Sequence, residues 1–145
     1  MKYIHRTLES ELERRLFTGK ALILYGPRQC GKTTLVKHLT AKYGDAVLWL
    51  NGDSPATRHA LHEITTARWK LLLGNYKIMV LDEAQRIDNV GLALKLLTDE
   101  LPDIQVIATG SSAFELMNRT AEPLAGRKFE YRLFPFSFGE LCEEH

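Results

Sequence analysis

Two kinds of segment alternate along the chain according to their pattern of apolar and polar positions. Between short apolar runs, apolar residues recur every three to four positions, as on one face of a helix. The runs themselves are typical of buried strands: ALILY at 21–25, AVLWL at 46–50, KIMVL at 77–81, IQVIAT at 104–109 and FEYRL at 129–133. The alternation predicts βαβ units and a three-layer α/β/α fold around a five-stranded, mostly parallel sheet.

Four helices follow from the spacing of the apolar residues. The first covers 4–17, where an apolar residue recurs at every fourth position. Glycine or proline ends the other three: the second, around 35–43, stops at Gly44, the third runs from DSP at 53–55 to Gly74, and the fourth, around 90–101, stops at Pro102. We predict one domain over 1–145, with an N-terminal helix within 1–19 and a core over 20–145.

Composition and charge exclude several classes of protein. The chain has 145 residues, 45% hydrophobic and 26% charged, which is ordinary for a globular domain. No apolar run approaches the roughly 20 residues of a membrane-spanning helix, so we expect no membrane partner. The net charge of +1 does not indicate nucleic acid. Cys30 and Cys142 show no metal-binding spacing, and the N-terminus does not resemble a signal peptide, so we expect the cytoplasm.

The segment GPRQCGKT at 26–33 lies between the first strand and the second helix. Gly26, Gly31, Lys32 and Thr33 match G-x-x-x-x-G-K-[ST], the loop whose backbone N–H groups surround phosphate oxygens at a helix N-terminus. Lys32 is expected to contact the β- and γ-phosphates, and the Thr33 hydroxyl to coordinate Mg²⁺. The predicted nucleotide-binding residues of the loop are Gly26, Pro27, Arg28, Gln29, Cys30, Gly31, Lys32, Thr33 and Thr34.

A second motif, KIMVLDEAQ at 77–85, is an apolar strand that ends in two acids. Together with the phosphate loop it reads as a Walker B motif. Asp82 is expected to hold the Mg²⁺, and Glu83 to orient and deprotonate the attacking water. A carboxylate at Glu83 favours hydrolysis over transfer to a small-molecule hydroxyl.

Polar residues also follow the fourth strand, in VIATGSS at 106–112. In P-loop ATPases with a strand between the loop strand and the Walker B strand, a side chain at the end of that strand senses the γ-phosphate. Thr109, Ser111 and Ser112 are all candidates, with Ser111 taken as the binding residue. Turn formation and helix capping are the alternative role of these residues.

Arg127 lies in PLAGRKFEYRL, between a glycine and the last strand. From there a guanidinium could contact the γ-phosphate of its own chain or of a neighbouring subunit and stabilise charge during phosphoryl transfer. An ion-paired surface arginine is the alternative.

Taken in order, GPRQCGKTTL, LDEAQRI, TGSSAFEL, PLAGR and LFPFSFGEL resemble the AAA+-superfamily ATPases of bacteria and archaea in which an AAA domain precedes a C-terminal domain of unknown function. The resemblance runs from about residue 17 to the end. It implies a P-loop core with strand order 5-1-4-3-2, Mg²⁺-dependent ATP hydrolysis and a nucleotide-sensing or finger role for Arg127. Members of that family continue for a couple of hundred further residues, so neither a lid nor the C-terminal domain is expected here.

These observations favour an ATPase that hydrolyses ATP to ADP and drives a conformational change in a partner or attached domain. The alternative is a nucleotide-dependent binding or oligomerisation module, DNA-associated or not, with little turnover of its own. No NKxD motif occurs, which favours ATP over GTP. A kinase would need an acceptor pocket and an arginine-rich lid, and a helicase a second RecA-like domain. The candidate partners are ATP and ADP, a second copy of the chain, or another protein.

Overall fold

The computed structural model describes residues 6–27, 31–111 and 124–133. Its helices are α1 (Arg6–Arg15), α2 (Lys32–Thr40), α3 (Pro55–Leu61), α4 (Thr66–Leu73) and α5 (Val90–Glu100), with 3-10 turns at Ala41–Ala46 and Ala84–Arg86. Its strands are β1 (Ala21–Tyr25), β2 (Val47–Asn51), β3 (Ile78–Asp82), β4 (Gln105–Gly110) and β5 (Lys128–Arg132). Each predicted strand is present, within one residue of its predicted bounds.

The five strands form one sheet in the order β2-β3-β4-β1-β5, and every neighbouring pair is parallel. Read from the other edge this is 5-1-4-3-2, so the order implied by the family resemblance is confirmed. Because all strands point the same way, the loops that follow β1, β3 and β4 meet at one edge of the sheet. We call it the carboxyl edge.

Alternate residues of each strand point to opposite faces of the sheet, and each face has its own apolar core. One core contains Leu22, Leu24 and Val80 and is covered by α1 and α2. The other contains Ile23, Met79 and Leu81 and is covered by α3, α4 and α5. Burial on both faces explains why the strands read as continuous apolar runs.

The third predicted helix is in fact two helices, α3 and α4. Glu63, in the connection, has a left-handed backbone with φ of 50°, which interrupts an α-helix. Thr65 then starts α4, and its hydroxyl accepts a hydrogen bond from the Arg68 N–H at 3.2 Å. Leu71 of α4 points outward and is 84% exposed.

Helix α1 is joined to the N-terminal edge of the sheet by a buried glutamine. Leu12 of α1 is fully buried. The Gln105 side chain accepts a hydrogen bond from the Phe17 N–H and donates one to the Lys20 carbonyl at 3.0 Å. Of the helix predicted over 4–17, residues 4 and 5 lie outside the described residues. Within the described ranges, no helix has both the length and the apolar character needed to cross a bilayer.

Candidate active site

The loop after β1 brings a buried lysine to the start of α2. Gly31 precedes the helix with φ of 82°, a left-handed conformation that glycine adopts without strain. Lys32 is 3% exposed, and its Nζ donates to the carbonyl oxygens of Gly26 at 3.0 Å and Pro27 at 2.9 Å. These bonds hold the ammonium group against the first two residues of the loop. The predicted binding residues Arg28, Gln29 and Cys30 lie outside the described residues.

The Asp82 carboxylate, at the end of β3, connects three segments of the carboxyl edge. Its Oδ2 lies 3.4 Å from the hydroxyl of Thr33 on α2. Its Oδ1 accepts hydrogen bonds from the hydroxyl of Thr109 on β4 and, at 3.1 Å, from the N–H of Glu83. Thr109 is 1% exposed, so its hydroxyl orients Asp82 from within the sheet.

Glu83 follows in a left-handed conformation, with φ of 51° and ψ of 47°. The loop after β2 supports that turn closely: the Gly52 N–H donates to the Asp82 carbonyl at 2.7 Å. A Cβ placed on Gly52 would lie 2.1 Å from the Glu83 carbonyl oxygen, so only glycine allows this approach. Arg86 adds an ion pair to Asp53 at 3.1 Å. The turn that carries Glu83 is therefore fixed by the β2 loop.

The Glu83 side chain has a hydrogen-bond partner within its own turn. Gln85 Nε2 donates to Glu83 Oε1 at 2.8 Å and to the Ser111 hydroxyl oxygen at 2.9 Å. Gln85 Oε1 accepts from the Ser111 backbone N–H at 3.2 Å. Ser111 directly follows β4, so Gln85 bridges the ends of two neighbouring strands.

Tyr25, the last residue of β1, stands at the rim between β1 and β5. Its hydroxyl donates to Glu130 Oε1 at 3.4 Å, and the Arg132 guanidinium lies 5.4 Å from the ring centroid. Burial, and then the nearby Glu130 carboxylate, raise the pKa of the Tyr25 phenol above its usual value. The phenol is therefore neutral at physiological pH.

Most of the described residues of the predicted site meet at the carboxyl edge: Gly26, Pro27, Gly31, Lys32, Thr33, Asp82, Glu83 and Ser111. Thr34 lies exposed in the first turn of α2. Of the three residues considered as phosphate sensors, Thr109 contacts Asp82, Ser111 contacts Gln85, and Ser112 lies outside the described residues.

Arg127 does not join the site of its own chain. Its carbonyl accepts a hydrogen bond from the Ala21 N–H at 2.9 Å, at the start of β1. The five residues of β1 put Ala21 about 16 Å from Gly26 along the strand, at a rise of about 3.3 Å per residue. The Arg127 Nε instead pairs with Asp99 of α5 at 2.6 Å. Because β1 and β5 are parallel, the segment before β5 lies at the opposite edge from the phosphate loop.

Two residues of the site were not predicted from the sequence, Gly52 and Gln85. Gln85 was included only as the last residue of the motif KIMVLDEAQ, although a polar residue two positions before the apolar Ile87 was a usable signal. Nothing in the sequence near Gly52 indicates that a backbone carbonyl will approach it.

The residues of this edge fit a Mg²⁺–nucleotide. Mg²⁺ prefers oxygen ligands and retains several waters, and the Thr33 hydroxyl and the Asp82 carboxylate place two such oxygens together. Among the described residues no side chain caps the N-terminus of α2, whose first N–H groups have no partner within the helix. N–H groups at a helix N-terminus and a lysine ammonium are the donors that phosphate oxygens require.

A phosphate loop between β1 and α2, an acid pair after β3, and a parallel sheet in 5-1-4-3-2 order define the class of P-loop nucleoside triphosphatases. Within that class the chain belongs to the AAA domain family, whose model matches residues 18–142. It is thus an AAA+ P-loop ATPase domain, as the sequence resemblance indicated.

The individual relatives share about a third of their residues with this chain over the aligned part. The chain is similar to the gas vesicle ATPase GvpN1 of Halobacterium salinarum, with 34% identity over 98 residues, 66% of this chain and 25% of the relative. It is 30% identical over 123 residues to an uncharacterised protein of Mycobacterium tuberculosis, covering 84% of this chain and 26% of that protein. The chain thus spans about a quarter of the length of both.

Among solved structures, a chain of the Drosophila ORC bound to DNA has a similar fold. It superposes with a TM-score of 0.64 at 15% identity, over 95% of each chain. At this level of identity, the likeness concerns the fold alone.

Proposed function

We propose that this domain binds ATP with Mg²⁺, hydrolyses it to ADP and phosphate, and uses the cycle to change the conformation of a partner or attached domain. The observation that carries the proposal is the meeting of three groups at one edge of the sheet: the buried Lys32 ammonium in the phosphate loop, the Thr33–Asp82 oxygen pair, and the Glu83 carboxylate. Membership of the AAA domain family supports it.

In the proposed reaction a water oxygen attacks the γ-phosphorus. The Glu83 carboxylate takes a proton from this water, and the bond from phosphorus to the β–γ bridging oxygen breaks, so that ADP leaves. The Lys32 ammonium and the loop N–H groups stabilise the negative charge that develops on the phosphate oxygens. Thr33 and Asp82 would hold Mg²⁺, which when bound neutralises charge on the β- and γ-phosphates.

The test compares Mg²⁺-dependent phosphate release by the wild type and Glu83→Gln, with ATP binding measured on both. Loss of a general base lowers turnover by roughly 10²- to 10⁴-fold, whereas the neutral isostere keeps the shape that ATP binds. We therefore expect binding without turnover in Glu83→Gln. Glu100→Gln, the same change at an exposed position of α5, serves as the control and should leave both unchanged. Normal hydrolysis by Glu83→Gln would show that Glu83 is not the base.

A second candidate is a nucleotide-loading module that turns over only in an oligomer. The position of Arg127 favours it, because this arginine lies at the opposite edge from its own phosphate loop and is half-exposed. We propose that Arg127 acts on the nucleotide of a neighbouring copy. The similar Drosophila structure is of ORC bound to DNA, so phosphate release should also be measured with and without duplex DNA.

A further inference from the structure

Gln85 is a buried polar residue that the reaction above does not use. It is 7% exposed, and its carboxamide makes three hydrogen bonds to two residues, Glu83 and Ser111. Both Nε2 hydrogens and one lone pair of Oε1 are engaged. A buried side chain with this degree of satisfaction is held in one rotamer, because each alternative leaves a buried polar group without a partner.

The partners also fix which way the carboxamide faces. The Ser111 backbone N–H can only donate, so it must face Oε1. A carboxylate oxygen accepts hydrogen bonds, so Glu83 Oε1 faces Nε2. Rotating the carboxamide by half a turn would break both bonds at once. Gln85 therefore forms a directional link from the backbone of the β4 end to the carboxylate of Glu83.

The fold makes this link short. β3 and β4 are neighbours in the sheet, with Leu81 paired to Ala108, so the turn after β3 and Ser111 emerge side by side. The left-handed backbone of Glu83 starts the 3-10 turn Ala84–Arg86 and places Gln85 against β4. Ser111, half-buried at this edge, is also the residue proposed to contact the γ-phosphate.

We propose that Gln85 is a positioning residue, which holds the Glu83 carboxylate in the orientation needed for proton abstraction and couples that orientation to Ser111. The inference rests on the proposed function, since Glu83 is there the general base. Contact between Ser111 and a phosphate oxygen changes the hydrogen bonds that Gln85 makes, and so changes the position of Glu83. Gln85 itself touches neither the nucleotide nor the water.

The kinetic test uses Gln85→Met, which keeps the length of the side chain and removes its hydrogen bonds without adding charge. We expect kcat for ATP hydrolysis to fall roughly 10- to 100-fold, because misplacing a catalytic group by about 1 Å costs up to about that factor. ATP affinity should change less than about twofold, since no phosphate contact is lost. The matched control is Gln105→Met, the same change at the buried glutamine of β4 that lies at the opposite edge. It should lower stability and leave kcat unchanged at temperatures where the protein is folded.

A second measurement does not depend on turnover. The side-chain amide protons of Gln85, assigned by their disappearance from the NMR spectrum of Gln85→Met, should exchange slowly with solvent. Their signals should move in Ser111→Ala and when ATP and Mg²⁺ are added to Glu83→Gln.

The outcomes separate this inference from the proposed function. If the wild type hydrolyses ATP and Gln85→Met keeps full kcat, Gln85 is not a positioning residue, while the ATPase assignment stands. If the wild type shows no turnover, the proposed hydrolytic function is wrong. The amide signals of Gln85 then test the link between Ser111 and Glu83 by themselves. Rapid exchange, or signals that Ser111→Ala leaves in place, would overturn the link between Ser111 and Glu83.

Discussion

Lys32 differs from an ordinary lysine in both burial and partners. A buried ammonium group is unfavourable unless hydrogen bonds replace its water, and the carbonyl oxygens of Gly26 and Pro27 do so here. The same two bonds hold the ammonium group at the start of the loop that we propose to bind phosphate. If Lys32 binds phosphate as proposed, little side-chain entropy remains to be lost, because the Gly26 and Pro27 carbonyls already hold its side chain.

Replacing Lys32 by methionine should weaken ATP binding by at least about 100-fold, because each charge-assisted hydrogen bond contributes about 1.5–3 kcal/mol. Titration with a fluorescent ATP analogue measures the affinity, and circular dichroism checks the fold. Lys37→Met, at an exposed position of the same helix, is the control and should bind normally. Equal affinity of Lys32→Met and wild type would place the nucleotide elsewhere.

The polar residues after β4 show what residue type alone left open. Thr109, Ser111 and Ser112 were all candidate phosphate sensors, since each carries a hydroxyl near the end of the fourth predicted strand. The register between β3 and β4 separates the first two, because Thr109 lies beside Asp82 and Ser111 beside Gln85. The register between two strands cannot be predicted from the sequence of either strand alone.

At the scale of elements, the loops after β2 and β3 form one unit. The Gly52 backbone packs against the Glu83 carbonyl, and the Arg58 side chain on α3 donates to the Gly52 and Asp53 carbonyls at 2.9 and 2.8 Å. The position of Glu83 is therefore determined by a helix and a strand that precede it by some thirty residues in the chain.

Gly52→Ala should displace the Glu83 turn, because a Cβ there would meet the Glu83 carbonyl oxygen at 2.1 Å. We expect a loss of about 1–3 kcal/mol in the free energy of unfolding, as for other overpacked sites, and at least about a tenfold fall in kcat, since a misplaced catalytic group is costly. Chemical denaturation and phosphate release measure the two.

Gly74→Ala is the control for this change. Gly74 also has a positive φ, of 50°, but a Cβ there meets nothing within 4 Å. Gly74→Ala should cost about 1–3 kcal/mol for the sparsely populated positive-φ backbone and leave kcat unchanged. If Gly52→Ala hydrolyses ATP as fast as Gly74→Ala, the β2 loop does not position Glu83.

The helices show the limit of periodicity. Apolar spacing over 53–74 predicted one helix, whereas the chain forms α3 and α4 with a left-handed Glu63 between them. The Thr65 cap was a local signal for the second start, but the buried Trp69 stabilises the break. The Trp69 Nε1 donates to the Ala93 carbonyl of α5 at 3.1 Å. The direction of α4 is therefore set by its packing against α5 and not by a continuation of α3.

At the scale of the whole molecule, the proposed site residues lie at two opposite edges of the sheet. The phosphate loop and acid pair lie at the carboxyl edge, while Arg127 lies at the other edge in an ion pair with Asp99. An exposed pair of this kind contributes about 0–1 kcal/mol. The proposed action of Arg127 on a neighbouring copy would therefore cost little when the guanidinium gives up Asp99.

Arg127→Ala should lower turnover by roughly 10³-fold, the lower end of the range for arginine fingers, with ATP binding retained. Asp99→Asn removes the ion pair but keeps the Arg127 guanidinium, so this variant should still hydrolyse ATP. Mixing Arg127→Ala with Glu83→Gln should restore phosphate release well above either variant alone, because intact residues from two chains can then form one site. A mixture as inactive as its parents, or an active Arg127→Ala, would contradict action between copies.

The sequence alone determined the alternation of strands and helices, the phosphate loop and the acid pair. Each of these depends on neighbouring residues: apolar periodicity, a glycine turn at a helix start, and acids that end a buried strand. Only the tertiary structure decided that Gln85 joins Glu83 to Ser111, that Gly52 supports the Glu83 turn, and that Arg127 lies away from its own phosphate loop. These facts depend on strand order, parallel direction and register, which bring together residues that are far apart in the chain.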